Sequence, residues 1–271
     1  MRWLIDGRDT GQVPADDRGL TFADGVFETI RLRRGKPEAW PLHWERLSHS
    51  LAALGLPAIN RSTLEQDLAL LGLPQEGVLK LVLTAGSSRG GYRRPSRPLI
   101  RRLIGVSDFI PQWPEQGVTL YDCRTRLASQ PATAGIKHLS RLEQVLARAE
   151  WHDERYHDGL MRDQAGCIIE TTCANLLLYR AGQWLTPALD DCGVAGIMRR
   201  RVICHLERCG ETVNECKLDE ANLRAADEVL LVNSIRGIAP LVCFKEQTWE
   251  QGTRCRQLQQ ALAADTEFGM R

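Results

Sequence analysis

Apolar and polar residues alternate over residues 22–32, and this period of two predicts a β-strand with one buried face. Val26, Ile30 and Leu32 fall on the same side of that strand. The basic residues 33–36, which include a glycine, then predict a hairpin turn.

The period changes to that of a helix after residue 40. Leu47, Leu51 and Leu54 recur at helical spacing behind Pro41, which is tolerated in a first helical turn. Gly55 is expected to end this helix. The pattern Ser62-x-x-Glu65 predicts a capping box that opens a second helix. A later apolar stripe, expected to be buried on a helix, consists of Leu139, Leu142, Leu146 and Ala149.

Further apolar runs complete an α/β pattern of the α+β type. The stretch 108–117 carries two prolines and no periodicity, so we expect an interdomain linker there. It would separate a small N-terminal domain, 1–107, from a larger mixed-sheet domain, 118–271. Strands are predicted at 78–84, 98–106, 228–232 and 240–244, hairpins across 158–187, and helices at 197–209 and 253–264.

Composition narrows the possible partners. The 271 residues carry a formal net charge of +1 and contain 25% charged and 43% apolar residues, as in ordinary globular proteins. No basic block or long apolar run indicates nucleic acid or membrane as a partner. The nine cysteines are scattered, without zinc-type spacing, so we expect reduced thiols, a cytoplasmic location and no metal.

Several residues are candidates for chemistry. Lys137 precedes the apolar stripe, and a desolvated lysine can act as nucleophile and base. Arg46 lies one helical turn after His43, and a guanidinium suits a phosphate. Glu170 ends an apolar run, where a carboxylate needs a partner. The glycine-bearing turn 193–196 runs into a helix, whose N-terminus suits an anion.

The segment from Gly135 to Val145, Gly-Ile-Lys-His-Leu-Ser-Arg-Leu-Glu-Gln-Val, resembles the lysine segment of the fold-type IV, class IV aminotransferase-like pyridoxal-phosphate enzymes. Within them it resembles the 4-amino-4-deoxychorismate lyase branch. The strand near residue 26, the His-x-x-Arg-Leu element, Glu170-x-x-x-x-Asn175 and the Gly-x-x-Gly turn follow in the order of that family, so the resemblance covers nearly the whole chain.

The resemblance implies a two-domain enzyme with pyridoxal 5'-phosphate in the interdomain cleft, usually a homodimer. Lys137 would attach the cofactor, and Glu170 would pair with its pyridine nitrogen. The phosphate would be bound by Arg46, Ile197, Met198 and Ser234.

The branch decides the activity that the resemblance implies. Related transaminases tend to have a tyrosine five residues after the lysine, where this chain has Leu142. We therefore expect a lyase that converts 4-amino-4-deoxychorismate to 4-aminobenzoate and pyruvate for folate biosynthesis, with Lys137 as base. The alternatives are a branched-chain or D-amino-acid aminotransferase and a non-catalytic protein that binds the cofactor. Arg31 and Arg89 are candidates for binding the substrate carboxylates, although the loop around residue 89 departs from the family pattern.

Overall fold

The computed structural model describes residues 2–9 and 11–264. The chain forms two compact units. Of the described residues, the first unit contains 2–9, 11–110 and 136–140, and the second contains 111–135 and 141–264. The expected α/β mixed-sheet fold is confirmed. The assignment of 118–271 as the cofactor-binding domain stays a prediction.

The first unit is built on a five-stranded antiparallel sheet with the order β1-β5-β4-β2-β3. Three helices accompany it. Its elements are β1 (Arg2–Ile5), α1 (Arg18–Phe22), β2 (Gly25–Arg33), β3 (Lys36–Pro37), α2 (Trp40–Ala53), α3 (Arg61–Leu71), β4 (Glu76–Thr84) and β5 (Arg101–Ser107).

Burial in the first unit follows the predicted periods. Val26, Ile30 and Leu32 are buried on one face of β2, and Leu47 and Leu51 of α2 belong to the same apolar core. The predicted strand and helix are therefore confirmed, because both periods place their apolar side chains in one core.

Two elements of this unit start at other residues than the sequence predicted. The side chain of Asn60 caps α3 by accepting from the amide of Ser62, so the helix starts one residue before the predicted box. The strand expected from residue 98 begins at Arg101.

The second unit is built on a mixed nine-stranded sheet with the order β11-β10-β9-β12-β13-β6-β7-β8, while β14 pairs with β13. Strand pairs β10/β11, β13/β6 and β6/β7 are parallel and the others are antiparallel. The strands are β6 (Val118–Leu127), β7 (Asp158–Asp163), β8 (Ile168–Thr171), β9 (Asn175–Arg180), β10 (Gln183–Pro187), β11 (Val213–Cys216), β12 (Glu228–Asn233), β13 (Gly237–Phe244) and β14 (Gln247–Thr248).

In the described part of this unit, four α-helices and a 3-10 turn at Pro131–Thr133 accompany the sheet. The helices predicted at 197–209 and 253–264 are present within a residue of their expected bounds. The four are α4 (Leu142–Arg148), α5 (Ile197–Arg208), α6 (Glu220–Arg224) and α7 (Thr253–Ala264).

The buried stripe expected on the helix after the lysine is wrong. On α4, Leu142, Val145 and Leu146 expose 65%, 61% and 52% of their surface. The side chain that α4 buries is that of Ala147, which packs with Trp151 in a small core. The helix is only seven residues long and packs on β6 and β7 through this small residue. Its leucines therefore stay on the other side, where their spacing alone could not reveal exposure.

Some sequence expectations concern the whole chain. The nine cysteines all lie in the described residues, and none of them forms a disulfide. Within the described residues, no helix is long and apolar enough to span a membrane. The same residues contain no group of three or more metal-ligating side chains that could hold an ion.

Candidate active site

Lys137 lies in an extended segment that pairs with β2 in the first unit. The amide of Phe27 donates to the carbonyl of Lys137 at 3.0 Å, and that of Leu139 donates to Gly25 at 2.9 Å. A Cβ at Gly25 would lie 2.2 Å from the Leu83 carbonyl oxygen of β4 and 2.9 Å from Leu139 Cδ1, so glycine allows β2 to approach both β4 and the lysine segment. The lysine backbone is thus held by a sheet edge, and α4 begins five residues later.

The side chain of Lys137 is half-buried and packs on an aromatic ring. Its Nζ lies 4.3 Å from the centroid of the Phe27 ring, a cation–π arrangement. Burial, with a smaller contribution from the charge of Lys137, lowers the pKa of His43 below its usual range. The lysine amine therefore lies close enough to the His43 region to influence its protonation.

Arg46 and His43 lie on one face of α2 and bind the same buried carboxylate. Arg46 donates from Nε and Nη2 to Glu28 at 2.8 and 2.5 Å. His43 Nδ1 lies 2.6 Å from Glu28 Oε2. The predicted phosphate ligand Arg46 is thus part of a cluster that includes Glu28, which the sequence motifs did not single out.

Glu170 lies in β8 of the second unit and is 5% exposed. Its Oε2 accepts from the amide of Val194 at 2.9 Å, and Gln144 Nε2 lies 3.4 Å from its Oε1. The partner that burial requires therefore includes a backbone amide of the turn before α5.

Asn175, the other residue of the Glu-x-x-x-x-Asn pattern, binds the same turn. Its Nδ2 donates to the carbonyl of Val194 at 2.8 Å. The two motif side chains thus engage the N–H and the C=O of one residue. A Cβ at Gly196 would lie 2.0 Å from Asn175 Oδ1, and Gly193 has a φ of +85°. The two glycines of the turn are therefore explained by close approach and by backbone conformation.

The N-terminus of α5 follows this turn. Gly196 is its N-cap and provides no side-chain hydrogen bond. The first amides of a helix have no intrahelical acceptor, and the dipole adds positive potential there. Ile197 and Met198, the first two helical residues, have buried side chains. Their backbone amides suit a phosphate group.

Ser234 lies in the turn between β12 and β13. The carboxamide oxygen of Asn233 orders this turn by accepting from the amides of Ile235 and Arg236 at 3.0 and 2.7 Å. The hydroxyl of Ser234 is thus presented on a turn with fixed backbone, within the same unit as Glu170.

Asp158 is a supporting residue that sequence reasoning missed. It is 1% exposed and binds the turn after Glu170. Its Oδ2 accepts from Thr171 Oγ1 at 2.6 Å, and its Oδ1 accepts from the amide of Thr172 at 3.1 Å. Its position at the first residue of a strand, 12 residues before Glu170 in the sequence, gave no signal of this contact.

The two candidate substrate arginines differ in setting. Arg31 is half-buried on β2 and lies 3.5 Å from Glu76 Oε2. It shares a face of β2 with Phe27, roughly 13 Å farther along the strand at the usual rise per residue. Arg89 is exposed in the loop after β4.

These groups fit pyridoxal phosphate by their chemistry. The first unit holds an amine on a fixed backbone and an oriented guanidinium, and the second holds an uncapped helix N-terminus and a buried carboxylate. An aldehyde requires an amine, a phosphate requires amides or a guanidinium, and a protonated ring nitrogen requires a carboxylate.

Comparisons with known proteins agree with this fit. The family model for amino-transferase class IV matches residues 25–242. An aminodeoxychorismate lyase of Vibrio harveyi is 35% identical over 247 residues, 89% of this chain and 90% of that protein. A D-alanine aminotransferase of Listeria monocytogenes is 27% identical over 241 residues, 86% of this chain and 83% of that protein.

Solved structures extend the similarity to the fold. The crystal structure of 4-amino-4-deoxychorismate lyase from Pseudomonas aeruginosa matches with a TM-score of 0.93 and 40% identity, covering 97% of this chain and 99% of that one. Members of the matched family use pyridoxal phosphate, so the cofactor prediction is confirmed. Since the family match covers most of the sequence and these relatives cover nearly all of it, the chain belongs to the class IV aminotransferase family.

Proposed function

We propose that the chain is a pyridoxal-phosphate-dependent lyase that converts 4-amino-4-deoxychorismate to 4-aminobenzoate and pyruvate, a step of folate biosynthesis. The observation that carries this proposal is the difference in similarity. Two relatives named as this lyase are 35% and 40% identical over 89% and 97% of the chain, whereas the D-alanine aminotransferase is 27% identical over 86%. Leu142, where related transaminases tend to have tyrosine, supports the same branch.

In this proposal the cofactor-binding residues have the roles that the family resemblance gives them. Lys137 would hold the cofactor covalently through Nζ. Glu170 would pair with the ring nitrogen. Around the phosphate, the ligands would be Arg46, the amides of Ile197 and Met198, and the Ser234 hydroxyl.

When bound, pyridoxal phosphate supplies a protonated ring that stabilises negative charge on the carbon next to the substrate nitrogen. Lys137 Nζ, released once the substrate amine has taken its place, would take the proton from the ring carbon that bears that amine. The bond between the ring and the enolpyruvyl oxygen then breaks and the ring becomes aromatic. Lys137 would return a proton to the methylene carbon of the departing enolpyruvate, which gives pyruvate.

Product analysis separates the lyase from the aminotransferase. We expect purified protein with cofactor to release pyruvate and 4-aminobenzoate in equal amounts from 4-amino-4-deoxychorismate, without any keto acid. Turnover that requires a keto acid and converts the cofactor to its amine form would instead establish an aminotransferase. Absence of both reactions in cofactor-replete protein would favour a non-catalytic binding protein.

Lys137→Ala tests the assigned base and has a matched control. Turnover should fall by roughly 10³-fold, within the range for loss of a general acid–base group, and the absorbance of lysine-attached cofactor should be lost. Lys80 also lies over the Phe27 ring, with Nζ 5.5 Å from its centroid. Lys80→Ala should keep both properties. Normal turnover in Lys137→Ala would exclude the assigned role.

Arg31 and Arg89 stay the proposed partners of the substrate carboxylates. If they bind ground state and transition state equally, replacing either with alanine should raise KM by roughly tenfold and leave kcat nearly unchanged. An unchanged KM in both variants would remove these arginines from the proposal.

We further propose that the protein is a cytoplasmic homodimer. The exposed apolar side chains of Leu142, Val145 and Leu146 support self-association, because adjacent apolar side chains in water often mark an interface. Light scattering of the purified protein should give twice the mass of one chain. Nine cysteines without a disulfide among the described residues support a reducing location.

A further inference from the structure

Glu28 is a charged residue on an otherwise apolar face of β2. Val26, Ile30 and Leu32 share that face and belong to the core of the first unit. The carboxyl residue is nevertheless only 1% exposed. A buried carboxylate costs free energy that an apolar residue at the same position would not cost. Its position is therefore explained by what it binds.

The partners of Glu28 approach from α2 and occupy both of its oxygens. Arg46 Nε donates to Oε1 at 2.8 Å and Arg46 Nη2 donates to Oε2 at 2.5 Å. This two-point contact fixes the plane of the guanidinium as well as its position. His43 Nδ1, one helical turn earlier, lies 2.6 Å from Oε2. The arginine is thus oriented by a carboxylate that is itself held on two sides.

Protonation keeps this arrangement intact near neutral pH. Burial opposes the charged form of Glu28, but Arg46 and His43 outweigh it and lower its pKa to about 2. Burial also lowers the pKa of His43, against the opposing effect of Glu28 and with smaller effects of Arg46 and Lys137 in the same direction. The carboxylate is therefore charged and the imidazole neutral, and the charges of Glu28 and Arg46 offset each other.

We propose that Glu28 is a positioning residue that aims the guanidinium of Arg46 at the phosphate of the cofactor. The inference rests on the phosphate role of Arg46 in the proposed function. A guanidinium carries five N–H groups in one plane, and the contact to Glu28 uses one edge of it. The orientation of the other edge is thereby set before the cofactor arrives. With its net charge offset, the pair would recognise phosphate through directed hydrogen bonds, so loss of Glu28 would misdirect the arginine.

The test compares two ligands that differ only in phosphate. Apo-protein is titrated with pyridoxal 5'-phosphate and with pyridoxal. The dissociation constant for pyridoxal divided by that for pyridoxal 5'-phosphate gives the phosphate selectivity. Glu28→Gln should reduce this ratio by roughly tenfold or more, the scale of losing one charge-assisted hydrogen bond. The affinity for pyridoxal itself should change little, because attachment to Lys137 does not use Arg46.

A buried ion pair elsewhere in the same unit provides the control. Asp67 is 5% exposed and accepts from Arg102 Nε at 2.7 Å. Asp67→Asn should lower the melting temperature in the manner of Glu28→Gln but leave the phosphate selectivity unchanged. A loss of selectivity in Asp67→Asn equal to that in Glu28→Gln would overturn the inference, because general loosening of the unit would then explain both.

Arg46→Ala separates this inference from the proposal beneath it. If Glu28 acts through Arg46, the double variant Glu28→Gln/Arg46→Ala should be no less selective than Arg46→Ala alone. Reduced selectivity in Arg46→Ala with normal selectivity in Glu28→Gln would overturn the positioning role and leave the phosphate role standing. Unchanged selectivity in Arg46→Ala would overturn both, whatever the lyase assay shows.

Discussion

Two buried carboxylates, one in each compact unit, are held by different kinds of partner. Glu28 is bound by the charged guanidinium of Arg46 and by His43. Glu170 is held by the backbone amide of Val194, with the neutral carboxamide of Gln144 near its other oxygen. A carboxylate whose charge is offset by a neighbour is suited to orient that neighbour. A carboxylate that accepts from a backbone amide has its charged form stabilised, which suits it to pair with a protonated ring.

Among the changes at the two carboxylates and their partners, Glu170→Gln should have the largest effect on activity. Normal activity of this variant would remove the contrast between the two carboxylates. We expect kcat to fall by roughly 10²–10³-fold, since a neutral amide does not keep the ring nitrogen protonated. The melting temperature should change little, because the glutamine oxygen still accepts from Val194. Pyruvate release at saturating cofactor measures the loss. An unchanged kcat would show that this carboxylate is structural, like that of Asp158.

Arg46→Met tests the charge balance of the other carboxylate. In this variant Glu28 stays buried and keeps its contact with His43 but loses the charge of Arg46. Breaking a buried ion pair from one side typically costs about 3–5 kcal/mol in the free energy of unfolding. Urea denaturation of the apo-protein measures this cost, with Arg61→Met, which removes an exposed pair with Glu65, as the control. Similar stabilities of the two variants would show that Glu28 does not depend on Arg46.

Gly196→Ala sharpens the description of the turn that Glu170 and Asn175 hold. The added Cβ would lie 2.0 Å from Asn175 Oδ1, so one of the two must move. We expect a loss of about 1–2 kcal/mol in unfolding free energy, from strain and a weakened hydrogen bond. Thermal melting should show that Asn175→Ala costs a similar amount alone and that the double variant costs less than the sum. Simple additivity would contradict the contact.

Acid unfolding tests the ion pair of Glu28. Burial raises the pKa of Glu28, but the opposite effect of Arg46 and His43 is larger, and the pKa falls from 4.5 to about 2. A group whose pKa is depressed by folding stabilises the fold above its unfolded pKa, so this contribution should decline as the pH falls from about 4.5 towards 2. Glu28→Gln should flatten the decline in apo-protein stability over that window. An identical slope would show that Glu28 is protonated together with the ordinary carboxyls.

The elements that the sequence predicted well have a pattern that extends over many residues and clear signals at their ends. The helices α2 and α5 and the strand β12 lie within a residue or two of their predicted bounds. Motif order also located Lys137 and Glu170 in the chain, although their roles rest on the family. These successes depend on local chemistry, such as proline in a first turn and glycine before a helix.

The failures concern tertiary contacts. The leucines of α4 are exposed, because Ala147 is the residue that packs. Asn60 won over Ser62 as the cap of α3, and propensity did not distinguish these two good N-cap residues. The burial of Glu28 could have been predicted, because side chains alternate along a strand and residue 28 falls on the same face as Val26 and Ile30. Its two partners from α2 lie 15 and 18 residues away, and no local pattern joins them.

Glu170 and Asn175 hold Val194 by hydrogen bonds to its main chain, one to its N–H and one to its C=O. These two hydrogen bonds therefore do not depend on which side chain stands at position 194. In evolution and in protein engineering, that position should accept many residues of similar size, and variation there could tune the surroundings of the turn without loosening it. Proline is the exception, because it would remove the N–H that Glu170 binds.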